Sequence, residues 1–236
     1  MKADTFAKLI VLETLIDAEI GHFLEHRPDS MEAFREGMVA RVSDLIDEID
    51  ALDAVAAARV YDAIVDFLAE LPEDDEGVIN ATLRFKAATE RIVERGMNER
   101  DREQPSTWAV VLDEMLSELA DEYHRAIRPN GEISAREYLR SRVLLARAGQ
   151  IADRLLWTAD VPQRAELREQ MDRLTFAVRH QRLKPAAVDM LIRPTQRRAR
   201  RYRPSTLTRV GAFVLSQLMR RSSHVTAGGT GEPKPV

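Results

Sequence analysis

The sequence predicts an all-α protein: a single multi-helix bundle of about eight helices with a basic C-terminal extension. Three observations carry this. Apolar residues recur at helical spacing along nearly the whole chain. Strand signals are missing, and Asn130-Gly131 separates two helical patterns rather than two alternating runs. Apolar residues are 44% of the 236 and charged residues 31%, enough apolar matter for a real core.

The first helix is expected from about Asp4 to Glu25, with Phe6, Leu9, Ile10, Ile16, Ile20, Phe23 and Leu24 on a wide apolar face. Arg27-Pro28 stops it. Asp29 or Ser30 caps the second, whose inward residues are Phe34, Met38, Val42, Leu45, Ile46 and Ile49. Asp53 opens the third, carrying Val60, Tyr61, Ile64, Phe67, Leu68 and Leu71, and Pro72 closes it. The acids 73–76 suit the start of a fourth helix, where the dipole favours them, and that helix fades at Gly96.

The charge-dense stretch Met97–Gln104 reads as the best internal linker. Pro105-Ser106 starts a helix with Trp108, Leu112, Met115, Leu116, Leu119, Tyr123 and Ile127. After the turn at Pro129-Asn130-Gly131, Ser134 and Glu137 form a capping box for the next helix. Its core face is Tyr138, Leu145, Ala148, Ile151, Ala152 and Leu155. Asp160-Val161-Pro162 starts another that ends near Arg182. Lys184-Pro185 begins a short helix to Ile192, closed by Pro194, and Ser205 caps a last one over about 206–221. Residues 222–236 lack an apolar period and read as a disordered tail.

Charge divides the chain. From residue 190 onward, nine arginines and Lys234 face a single acid, Glu232, a local charge of +9. Residues 1–189 keep 25 basic and 38 acidic residues, a charge of −13. The expected organisation is an acidic helical bundle over 1–192, an Arg-rich arm with a basic amphipathic helix over 193–221, and the tail. No apolar run is long enough for a signal peptide core or a spanning helix, so the expectation is a cytoplasmic protein. The absence of cysteine excludes disulfides, thiolate metal sites and cysteine nucleophiles. Neither a G-x-S-x-G elbow nor a phosphate-cradling P-loop is present.

The arm is the sharpest feature. Arg193 is followed by Arg197, Arg198, Arg200, Arg201, Tyr202 and Arg203, five arginines within seven positions with a tyrosine among them. Guanidinium groups contact phosphates bidentately and an aromatic ring stacks on bases. Arg209 continues the charge on a helix whose apolar face is Leu207, Val210, Phe213, Val214 and Leu218. The expected partner is anionic: a nucleic acid or an acidic protein surface. A peripheral anionic membrane is the third partner weighed, and the protein's own acidic body is one acidic surface within reach. A helical body of this kind also admits a homo-oligomer. The same charge run also fits a solvated linker that ends in a docked helix.

Two other constellations carry chemistry on paper. Glu19, His22 and His26 share one helix face at metal-ligand spacing, and Asp121 and His124 repeat the i, i+3 pair. The acids Asp44, Asp47, Glu48 and Asp50 form a ladder on the second helix that could hold Mg²⁺ beside a phosphate. Both patterns equally describe solvated helix faces.

The segment Ile133-Ser134-Ala135-Arg136-Glu137-Tyr138-Leu139-Arg140-Ser141-Arg142 resembles the P-S-x-x-E-Y-x-x-x-R segment of class I terpene synthases, all-α proteins that bind prenyl diphosphates through Mg²⁺. The ladder lies about 90 residues upstream of Arg142. The resemblance implies Asp44, Asp47 and Asp50 as Mg²⁺ ligands and Arg142 as a diphosphate sensor. Downstream, Met171 and Arg179 stand where that family's second metal motif has Asn and Glu. The leading expectation is a non-enzymatic interaction or regulatory protein with no cofactor. A degenerate terpene-synthase-like protein with Mg²⁺ is the alternative, and a helical metal-binding bundle the second.

Overall fold

The computed structural model describes residues 1–26, 30–72, 74–156, 161–179 and 183–202. Among them are nine α-helices and no strand: α1 (Ala3–Glu25), α2 (Met31–Leu52), α3 (Ala54–Ala69), α4 (Asp75–Gly96), α5 (Glu99–Glu103), α6 (Pro105–Ala126), α7 (Ala135–Leu156), α8 (Val161–Arg179) and α9 (Pro185–Ala199). A 3-10 turn, Arg200–Tyr202, follows α9.

Local chemistry sets the starts. Ser30 Oγ accepts from Ala33 N at 3.1 Å, Asp53 Oδ1 from Ala56 N at 3.0 Å and Asp74 Oδ1 from Gly77 N at 2.8 Å. Each side chain satisfies a donor that the first helical turn leaves orphaned. Pro105 occupies the first position of α6, where its missing N–H costs nothing. Two glycines are required by shape. Gly131 adopts φ +83° in the α6–α7 turn, which a small antiparallel bridge between Ile127 and Ile133 closes. A Cβ on Gly77 would fall 2.2 Å from Pro72 Cγ, so the chain turns tightly into α4.

Helix α1 is the axis. It packs against α2, α4, α6 and α7, and buried residues occur on nearly every side of it. Helices α6 and α7 make the largest interface, α2–α3–α4 follow one another as neighbours, and α8 and α9 cover α7 and α6. Tyr123 donates to Leu183 O at 3.0 Å and Tyr138 to Val178 O at 2.6 Å, fastening α6 and α7 to the C-terminal helices.

Inside this packing lies an ionic cluster. Glu19, 1% exposed, accepts from Arg136 Nε at 2.9 Å and from the buried Arg140. Glu122, fully buried, accepts from Arg125 Nη1 at 2.6 Å and from Arg41, which also holds Glu118. Arg140 Nη1 stands 3.6 Å from Glu122 Oε2 and joins the two halves. Burial alone would push the Glu19 carboxyl up, but the hydrogen bonds and charges of Arg136 and Arg140 hold it below the ordinary carboxylate value. Glu122 goes the other way: burial pushes it up against the opposing charges of Arg41, Arg140 and Arg125.

Three sequence expectations need correction. Tyr61, expected inward, is 56% exposed, because the buried face of α3 runs through Val60, Ile64, Phe67 and Leu68 and leaves Tyr61 a quarter-turn away. The linker Met97–Gln104 contains α5, capped by Asn98 Oδ1 on Asp101 N at 2.8 Å and tied to α6 by Thr107 Oγ1 donating to Asp101 O at 2.7 Å. Pro194 does not close the helix begun at Lys184-Pro185, which continues to Ala199. Ile192, Thr195 and Ala199 are buried on that helix, and their packing outweighs the hydrogen bond that proline removes. The compact unit consequently runs from Met1 to Tyr202 and includes the first part of the arm. The expected last helix and the tail lie outside the described residues.

Arg140→Met leaves Glu19 and Glu122 short of a counter-charge and is expected to cost about 3–5 kcal/mol in urea unfolding. Because the folded Glu19 carboxyl titrates below its unfolded value, its contribution is present above the ordinary carboxylate range and is lost as pH falls through the folded value. Unfolding of Glu19→Gln measured against pH should therefore lack that acid-side loss. Pro194→Ala should raise stability by about 1–3 kcal/mol, read as a shifted urea midpoint at unchanged slope.

Candidate anionic-partner interface on the last helix

The buried residues of α9, Val188, Ile192, Thr195 and Ala199, recur every three or four positions and fix its rotation on the body. That rotation divides the arm's arginines into two sets. Arg198 pairs with Glu166 of α8, and Arg200 Nε meets Asp113 of α6 at 3.0 Å. Gln196 Nε2 donates to Asp113 O at 3.2 Å and to Ser117 Oγ at 2.9 Å. Arg193, Arg197 and Arg201 are exposed, and none has an ion-pair partner among the described residues. Arg193 and Arg197 stand one turn apart on α9, about 6 Å along its axis, and Arg201 follows in the 3-10 turn.

Arg193 also lines a groove of about 530 Å³ between α6 and α9, together with Arg125, His124, Asp121, Asp189 and Gln196. His124 Nε2 lies 2.9 Å from Asp189 Oδ2 across this groove. Tyr202, expected to stack on bases, is half-buried and packs against the core beside Leu167 and Arg198. Arg203 and Arg209 lie outside the described residues.

The other candidates lie on other elements. Asp44, Asp47 and Asp50 are exposed on α2, and Arg142 is exposed on α7. Neither the ladder nor Arg142 lines the α6–α9 groove. Among the described residues no three His, Asp or Glu side chains converge as a metal ligand set. Glu19 is taken by Arg136 and Arg140, and this corrects its reading as a metal ligand. His22 and His26 stack on each other with centroids 5.0 Å apart. Burial, then the charges of Arg136 and His26, hold the His22 imidazole below its ordinary value. Asp121 is exposed, and His124 turns to Asp189 on α9.

Sequence reasoning missed the acceptors that sort the arm, Asp113 and Glu166. Asp113 carried a usable signal, since it adjoins Leu112 and falls next to the apolar stripe of α6; Glu166 carried none. No described helix is long and apolar enough to cross a membrane. Comparison with protein-family profiles, curated proteins and solved structures gives no significant match.

Asp113→Ala should release Arg200, whose partner is the Asp113 carboxylate, while Gln196 keeps the backbone carbonyl of residue 113 and Ser117 Oγ. Amide hydrogen exchange over 196–202 is expected to quicken by about tenfold, while α1 keeps its protection.

Proposed function

We propose that this is a non-enzymatic interaction protein, whose helical body holds an arginine stripe rigid for an anionic partner. The observation that carries the reading is the division of the arm. Arg198 and Arg200 are spent on the body, whereas Arg193 and Arg197 face outward on a helix whose rotation is fixed by burial and Arg201 is exposed in the turn that follows it. A charge run that served only as a solvated spacer would have no reason to be sorted this way. Arginine in place of lysine favours bidentate contact with phosphate or carboxylate.

Nucleic-acid phosphate is the first partner to test. Three arginines in succession along α9 and the turn after it suit a strand backbone, and the acidic remainder of the chain keeps the footprint small and strongly salt-dependent. The experiment is fluorescence anisotropy of the full chain against labelled single- and double-stranded oligonucleotides at two salt concentrations. Replacing Arg193, Arg197 and Arg201 together by Ala should weaken binding at least tenfold and flatten the log–log salt slope by about 2. Binding that is unchanged in the triple variant sinks the stripe. Absence of binding at low salt transfers the reading to an acidic protein surface.

A further inference from the structure

A second site lies away from the arginine stripe, in the cleft where α1, α4, α6 and α7 diverge beside α5. Its volume is about 690 Å³, within the range of small-molecule sites. Phe6 and Ile10 from α1, Val93 from α4, Trp108 from α6 and Val143 from α7 give it an apolar floor. Phe6 and Trp108 meet edge to face with centroids 5.5 Å apart, which fixes the geometry of the floor; both rings are more than nine-tenths buried, so the open apolar surface of the cleft comes from Val143, Ala146 and the edge of that floor. The indole N–H of Trp108, a residue only 8% exposed, has no acceptor among the described residues.

The charges around this floor are unequal in their commitments. Asp17 is held by Lys86 at 2.7 Å. Glu13 accepts from Thr89, and burial pushes its carboxyl up against the opposing influence of Thr89, Arg147 and Lys86. Glu90 and Glu103 are exposed at the rim. Against them, Arg102, Arg147 and Arg154 all line the cleft without an ion-pair partner among the described residues. The Arg154 guanidinium sits 4.1 Å over the Trp108 ring, and Arg147 Nη1 donates to the neutral Gln150 at 2.9 Å while its charge acts at longer range on Glu13.

We infer that this cleft binds a small amphipathic anion: an apolar body set against Val143, Ala146 and the edge of the Phe6–Trp108 floor, with a carboxylate or similar group met by Arg102 and Arg147. The apolar lining supplies affinity through area, and the arginines select the charge. This site is independent of α9 and stands whether or not the stripe binds nucleic acid.

The test uses one ring system in three charge states on the full chain: 2-naphthoate, naphthalene-2-carboxamide and 2-naphthylmethylamine. Binding is read by titration calorimetry and by quenching of tryptophan fluorescence. The naphthoate should bind saturably, at least tenfold tighter than the amide or the amine. Arg147→Ala and Arg102→Ala should each weaken the naphthoate about tenfold, the loss expected for one charge-assisted contact. Ala146→Trp, at an exposed position lining the cleft, should abolish binding by filling it while circular dichroism and the melting transition stay those of the parent. Three outcomes would overturn the inference. They are no saturable naphthoate binding at millimolar concentration, an amine bound as well as the anion, and affinity unchanged in both Arg147→Ala and Ala146→Trp.

Discussion

The arrangement of this bundle depends on one buried charge, the carboxylate of Glu19. A carboxylate 1% exposed in the middle of an apolar helix is tolerable only where cations reach it, and Arg136 and Arg140 from α7 do so from adjacent turns. That requirement fixes the rotation of α1 against α7. Arg140 carries the constraint on to Glu122 of α6, and Arg41 carries it to α2. Four helices are thereby indexed to one another by groups that have no low-energy alternative. Apolar contacts alone allow neighbouring helices to slide or rotate with small changes in buried area. Ion pairs formed out of water do not.

The arrangement of the arm follows from the same rigidity. Helix α6 carries Asp113 and Ser117 on the flank that receives α9, and α8 carries Glu166 on the other side. Arginines that face these acceptors become structural. Those a third of a turn away remain available. An electrostatic surface of three residues thus comes from a segment that, by composition, looked uniformly basic. The groove beside it, with His124 bridged to Asp189, lies along the same α6–α9 seam.

The sequence was informative where a helix's own periodicity decides the outcome. The inward residues of α1, the Ser30 and Asp53 caps, the Pro105 start and the core face of α7 all follow from side chains within a turn or two of one another. It was uninformative where the deciding partner is far away in the chain. Glu19 looked like half of a ligand pair with His22 because its arginine partners are 117 and 121 residues distant. Pro194 looked like a stop because its local cost is visible, whereas the burial of Thr195 and Ala199 that outweighs it is tertiary. The arginine arm was visible as charge, but not its division into bound and free residues, since the acceptors on α6 and α8 are not periodic features of the arm. The cleft beside Trp108 left no trace in the motif search, because its floor is drawn from four separate helices.

The indexing of α1 by α7 also bears on biosynthesis. Helix α1 is made before every helix that buries it, and the cations for Glu19 follow only 117 and 121 residues later. At roughly 5–20 residues per second, that interval is about 6–24 s of elongation. Throughout it Glu19, in the C-terminal half of α1, lacks the arginines that pair with it. Helices α2 and α4 are made within that interval and can cover part of α1, but its α7-facing side stays open, and pauses upstream of Arg136 would lengthen that exposure.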